Sequence, residues 1–345
     1  MLRYLRLLAS LKFTLVGMLL LAGGAILSYG NPVDVSIWVL VVPLGLLAVN
    51  LSAAIATNPG INRQPGLLVF HLSLLSTVLL AGVGRLTHLD AHLEITEGQM
   101  FTPKLLMEVS KGPWHIGDLD KVAFIQGPYT VEYAANLQRG QTHSQVLLPG
   151  PDGRLIPKDV GDDRPLVLER YRFYTTHNKG FAPQLTWIPD QGEAVTGRIN
   201  MPSYPLFEYK QDNRWTPPGT QEEIKFWLQL ETGMTPDKAW VLDGRNSHGV
   251  LVVTSGERRV ELKPGQEVRL AHGRLRFEKL TTWMGYRVFY DPTIQWLFFV
   301  TIIGVLGLGQ YFWVRLSLSP WMEEDGESPG EGPRALPGEP QGERP

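Results

Sequence analysis

The chain contains no cysteine. Disulfides, Cys-ligated zinc, iron–sulfur clusters, thiol–disulfide exchange and covalent haem attachment through Cys-x-x-Cys-His are therefore excluded. An excess of one charge is also missing. The 32 basic residues face 34 acidic ones, for a formal net charge of −2. That balance lacks the electrostatic footprint of a nucleic-acid binder, so no nucleic-acid partner is expected. No phosphate-cradling glycine loop, no His-Glu-x-x-His arrangement and no nucleophilic triad stands out. The mean hydropathy, −0.07, also lacks an apolar excess.

That average hides a segregation. Residues 13–33, 35–62, 64–84 and 292–314 contain no Asp, Glu, Lys or Arg. Leu, Val, Ile, Phe, Ala and Gly dominate each window. A helix needs about 20 apolar residues to cross a bilayer, and these windows hold 21, 28, 21 and 23. The first window follows Arg3, Arg6 and Lys12, as the core of a signal peptide would. It is longer than the usual h-region of about 7–15 residues, and no small-x-small cleavage site follows it. It reads as an uncleaved first span.

Basic residues beside the spans set the expected orientation. Arg3, Arg6, Lys12, Arg63 and Arg315 fall on one side if both termini are cytoplasmic, while the link around Asn31, Pro32 and Asp34 has no Lys or Arg. Residues 85–291 then lie outside the cytoplasm. Their 25 Lys and Arg are no obstacle, because long translocated domains escape the rule. Tyr29, Trp38, Tyr290 and Trp296 would mark the outer interface, and Phe312 and Trp313 the inner one.

Between the third and fourth windows the apolar period changes to two. LVLERYRFYTT (166–176), IKFWLQLE (224–231), GVLVVT (249–254) and LRFEK (275–279) read as strands. Gly- and Pro-bearing turns separate them, such as Pro151-Asp152-Gly153, Ser255-Gly256, Lys263-Pro264-Gly265 and His272-Gly273. An antiparallel β-sandwich or a pair of small β-layers is the simplest expectation. Residues 94–99, EITEGQ, echo residues 261–266, ELKPGQ. Both look like a strand ending in a Gly-Gln turn.

The organisation expected is thus an integral membrane protein with four transmembrane α-helices, three N-terminal and one C-terminal, and a large all-β extracytoplasmic domain. Residues 1–85 form the three-span region, 86–291 the β-rich domain and 292–315 the fourth helix. Residues 316–345 carry seven acids and two bases among Pro and Gly. They read as a disordered acidic tail.

Without cysteine, cofactor ligation falls to the eight histidines. His115, His143, His177, His248 and His272 sit beside turn or polar positions and read as ordinary surface or turn residues. His71 lies inside LLVFHLSLLSTVLL, about 12 Å along a helix from Arg63. An ionisable residue at such depth is costly and suggests function. Two readings stand: a haem-iron ligand, or a histidine bonded to a neighbouring helix with help from Ser73, Ser76, Asn50 or Ser52. The other apolar windows hold no histidine, and His88 is about 25 Å further on. A bis-histidine site at His71 would therefore need its second ligand from another chain. His88 and His92 are four residues apart. They could share a helix face with Asp90 or Glu94 as further metal ligands, face an outer haem edge, or belong to a link that becomes a strand.

The order of these parts resembles the ResB (CcsB) family of cytochrome c biogenesis proteins. The likeness is carried by KFTLVGMLLLAGGAILSYG, by FHLSLLSTVLLAGVGR running into AHLEITEGQ, by LVLERYRFYTTHNKGFAPQL and by MGYRVFYDPTIQWLFFVTIIGVLGLGQYFW. It covers the chain except its tail. The family's ectodomain is longer, and an acidic Pro/Gly tail is outside its pattern. The resemblance implies a bacterial inner-membrane subunit that works with a ResC (CcsA)-type multi-span partner. Together they would carry haem b across the membrane and present it to apocytochrome c. It also implies that His71 is an axial haem ligand; the outer haem edge at His88 rests on the residue reading alone. The partner's Trp-rich haem-handling motif is not found here, so the chain alone is not expected to be an enzyme. The rival is a membrane-anchored β-domain scaffold that binds no haem.

Overall fold

The structure, a computed structural model, describes residues 2–30, 33–150, 152–231 and 236–317. The acidic tail expected from sequence, beyond residue 317, and the Asn31-Pro32 link lie outside the described residues.

Among the described residues six α-helices form: α1 (Leu2–Leu8), α2 (Leu11–Gly30), α3 (Trp38–Thr57), α4 (Pro59–Asn62), α5 (Pro65–Thr87) and α6 (Ile294–Ser317). Four of them, α2, α3, α5 and α6, are long and apolar enough to cross a membrane. The second apolar window breaks before its end. Asn58 is extended (φ −99°, ψ 106°), and its side chain accepts from the Gly60 N–H. The following Pro59 disfavours the helical region for Asn58, so a short new helix begins there. In contrast, α5 runs past Arg85, since arginine is itself a good helix former.

Small residues let α5 and α6 approach closely. A Cβ on Gly66 would lie 2.6 Å from the Gly307 carbonyl oxygen. Further along, Ser73 Oγ donates to the Val300 carbonyl at 2.5 Å. Such seams are how helices associate where burial of apolar surface gives little driving force. Asn50, buried on α3, fastens the break between α1 and α2. Its amide donates to the Leu8 and Ser10 carbonyls and its oxygen accepts from Thr14.

The middle of the chain is rich in antiparallel sheet, in three hydrogen-bonded sheets. The largest runs β2 (Leu106–Lys111), β1 (Leu89–Thr96), β15 (Gly273–Tyr290), β7 (Tyr171–Pro189), β6 (Leu166–Leu168). Two short strands join its sides: β14 (Glu267–Leu270) pairs with β15, and β8 (Val195–Arg198) with β7. A second sheet orders β13 (Arg258–Leu262), β12 (Gly249–Ser255), β10 (Ile224–Leu230) and β9 (Asp212–Trp215). The third orders β11 (Trp240–Asp243), β3 (Ile125–Tyr133), β4 (Arg139–Pro149) and β5 (Leu155–Gly161). One apolar core joins all three, with Val131, Val146, Phe173, Leu251 and Phe277 fully buried.

Two sequence expectations need correction. LVLERYRFYTT is not one strand: Glu169 and Arg170 take positive φ (50° and 68°), and Leu168 pairs with Tyr171 across them. A two-residue hairpin turn with both central residues left-handed matches the twist of its strands, but it carries no Gly or Asn to announce it. Tyr290 is not an interfacial anchor either. It is 1% exposed and packs against the Tyr171 ring at a tilt and the His115 ring edge-on. Tyr29, Trp38, Trp296, Phe312 and Trp313 are exposed.

The echo between residues 94–99 and 261–266 is a shared turn. Gln99 Oε1 accepts from the Thr96 N–H and Gln266 Oε1 from the Lys263 N–H. Gly98 and Gly265 both adopt positive φ, 79° and 84°. Each turn then pairs with a strand, through Gln126 and Phe277 respectively.

Candidate functional site

Four of the eight histidines, His71, His88, His92 and His115, lie on α5 or at its domain end. His71 sits six residues into that helix. Its Nδ1 lies 2.7 Å from the Leu67 carbonyl oxygen. A carbonyl only accepts, so Nδ1 carries a proton, and Nε2 is the nitrogen left over. That nitrogen has no hydrogen-bond partner among the described residues. Ser73 faces α6; at 3.6 residues per turn His71 lies about 160° around the helix from it. Three of the four expected helpers are engaged elsewhere: Asn50 on α1 and α2, Ser73 on α6, Ser76 on the Leu72 carbonyl; Ser52 makes no bond to His71. His71 is therefore bonded to its own helix and not to a neighbouring one.

At the domain end of α5 the pattern is different. The helix ends at Thr87, and His88 is extended (ψ 163°), so β1 follows at once. His88 and His92 thus do not share a helix face. The last carbonyls of a helix have no partner within it, and residues 112–115 supply them. The Gly112 N–H donates to the His88 carbonyl, the Trp114 N–H to the Leu86 carbonyl and His115 Nδ1 to the Thr87 carbonyl. A Cβ on Gly112 would lie 2.2 Å from the Leu86 oxygen, so the strap needs glycine there. His115 Nε2 accepts from the Tyr171 hydroxyl at 2.6 Å. Burial pushes that hydroxyl up to about 12, so it keeps its proton. His115 is therefore a half-buried clamp and not a surface residue. His143, His177, His248 and His272 are exposed, as expected.

His88 is 6% exposed. Its Nδ1 donates to the Arg85 carbonyl, and its Nε2 accepts from Ser110 Oγ at 3.2 Å. Burial pushes its pKa down, which favours the neutral ring. His92 Nδ1 lies 3.0 Å from the Glu108 carboxylate. The Arg287 guanidinium grips Asp90 with two parallel bonds, 2.9 and 2.5 Å. These groups line one side of a cavity of about 480 Å³ where β1, β2 and β15 meet the helices.

Glu94 does not join them. It faces a different cavity beside Asn200, and burial raises its carboxyl pKa. No group of three or more His, Asp or Glu suited to a metal ion exists among the described residues. The metal reading of His88, His92, Asp90 and Glu94 is thus not assembled.

Haem ligation asks less of the chain, a single neutral imidazole nitrogen per axial position. His71 fits that demand through its unengaged Nε2, and its partly exposed ring leaves access. His88 offers no unengaged nitrogen in this arrangement. The helix between them is continuous, so both could not reach one iron. The chain matches no protein-family model and no curated protein sequence.

Proposed function

We propose that the chain is a ResB-like subunit of a membrane haem-delivery complex, acting with a ResC/CcsA-type partner to present haem to apocytochrome c. One observation carries the reading. His71 sits within an apolar helix, its Nδ1 is spent on Leu67, and its Nε2 is free. The three-plus-one arrangement of long apolar helices around a β-domain supports it. In this reading both termini lie in the cytoplasm and the β-domain lies outside the inner membrane.

Bound haem b would supply the iron and the redox couple. His71 would hold the iron through Nε2, and the Leu67 carbonyl fixes which ring nitrogen is offered. A second nitrogen for the iron would come from the partner, because the apolar windows hold no other histidine. The chain alone performs no ligation chemistry.

The test is purification with and without a ResC-type partner, followed by reduced-haem absorption. A bis-histidine spectrum should require the partner and should be lost or converted to a high-spin form in His71→Ala. An unchanged spectrum in that variant defeats the ligand assignment. The second reading, a scaffold without haem, draws on the absence of any metal-suited cluster among the described residues. It predicts partner co-purification with no haem band at all.

A further inference from the structure

The cavity at the domain end of the helices has two unlike halves. Ala25, Tyr29, Val33 and Leu40 line its helix side, and polar groups line the side toward the sheet. Its permanent charges balance: guanidiniums of Arg85 and Arg287 against carboxylates of Asp90 and Glu108. They are not distributed evenly. Asp90 and Arg287 satisfy each other. Arg85, in the last turn of α5, has no carboxylate partner among the described residues, and donates to Ser28 Oγ at 3.3 Å. Glu108, on β2 of the domain, is answered among the described residues only by the His92 imidazole. One uncompensated cation therefore sits beside the apolar helix side. One carboxylate without a permanent counter-cation sits toward the domain.

A phospholipid with an ammonium headgroup has the complementary order. Its acyl chains lie deepest, its phosphate at the interface and its ammonium furthest out. A dianionic guest would satisfy Arg85 but would meet Glu108 unfavourably. A cavity of this size holds a headgroup and its glycerol.

We propose that this cavity binds one zwitterionic, ammonium-bearing phospholipid, with Arg85 on the phosphate and Glu108 on the ammonium. Arginine suits the phosphate because its planar fork makes two charge-assisted bonds. The primary ammonium adds a directed bond to Glu108. The bound lipid then fills the gap between helices and sheet, and makes the leaflet part of the junction.

The experiment uses the full chain, exchanged into nanodiscs of defined lipid and released for native mass spectrometry. Phosphatidylethanolamine, phosphatidylcholine and phosphatidylglycerol are compared. The wild type should retain one phosphatidylethanolamine, about tenfold over phosphatidylglycerol. Arg85→Gln should lose that retention by about tenfold. Glu108→Gln should keep lipid but lose the preference for the ammonium headgroup. Glu108 is an exposed residue, so this variant stays informative even if Arg85→Gln fails to fold. Arg63→Gln, at the opposite end of α5, should change nothing. Equal retention by folded Arg85→Gln, phosphatidylglycerol held as well as phosphatidylethanolamine by the wild type, or an unaltered preference in Glu108→Gln would overturn the proposal.

Discussion

The interior of α5 and its domain end treat polar groups in opposite ways. At the domain end His88 and His115 each use both ring nitrogens: His88 binds Arg85 and Ser110, and His115 binds Thr87 and Tyr171. In the interior His71 uses one nitrogen and leaves the other. A histidine with both nitrogens engaged has become part of the scaffold. One with an open lone pair inside an apolar helix carries the cost of that polarity without a structural return, and this is the imbalance expected of a ligand position.

The contrast can be broken at its structural end first. His115→Ala leaves the Thr87 carbonyl and the Tyr171 hydroxyl without partners in a packed site. Losing such bonds should cost about 2 kcal/mol of unfolding free energy, read as a lowered denaturation midpoint. A smaller effect sharpens the comparison inside the domain. Lys179 is 2% exposed, and its ammonium has only the His177 carbonyl and the Tyr133 ring. Burial lowers its pKa from 10.5 to about 8. The unfolded chain therefore binds more protons between those values, and stability rises with pH across that window. Lys179→Met should stabilise the protein at pH 7 by about 1 kcal/mol, and its advantage should shrink by pH 9.5. Melting curves at both values check the sign. The smallest effect belongs to His71→Ala. It breaks one bond within a helix, and Ala is the better helix former. Its unfolding free energy, measured on haem-free protein, should stay within about 0.5 kcal/mol of wild type.

The long elements were readable because their physics is local. Four uncharged windows become four long helices, and alternation such as IKFWLQL becomes β10 with Ile224, Phe226 and Leu228 buried. What escaped depended on distance or on missing markers. The Glu169-Arg170 turn has no glycine to reveal it. His115 reads as a turn residue because its partners lie 28 and 56 positions away. Tyr290 sits beside an apolar window, yet the strap and β7 cover it. The junction cavity could not be read from any one segment, since it gathers residues from three helices and three strands. His71 was legible as an unusual residue, but the tautomer that frees Nε2 needed the Leu67 carbonyl.

The union of α5 and α6 with β1 and β15 has a mechanical consequence. Through His88 at one side and Asp291-Pro292-Thr293 at the other, a pair of helices becomes a pair of strands, in register from Leu89 opposite Tyr290 to Thr96 opposite Trp283. A slip of one residue would turn every side chain of β1 to the opposite face, and Leu89, Ala91, Leu93 and Ile95 are all in the core. The ladder therefore acts as a ratchet pawl that permits no sliding. Any motion between the two helices must pivot, and its fulcrum lies beside Arg85 and His88, where the cavity opens.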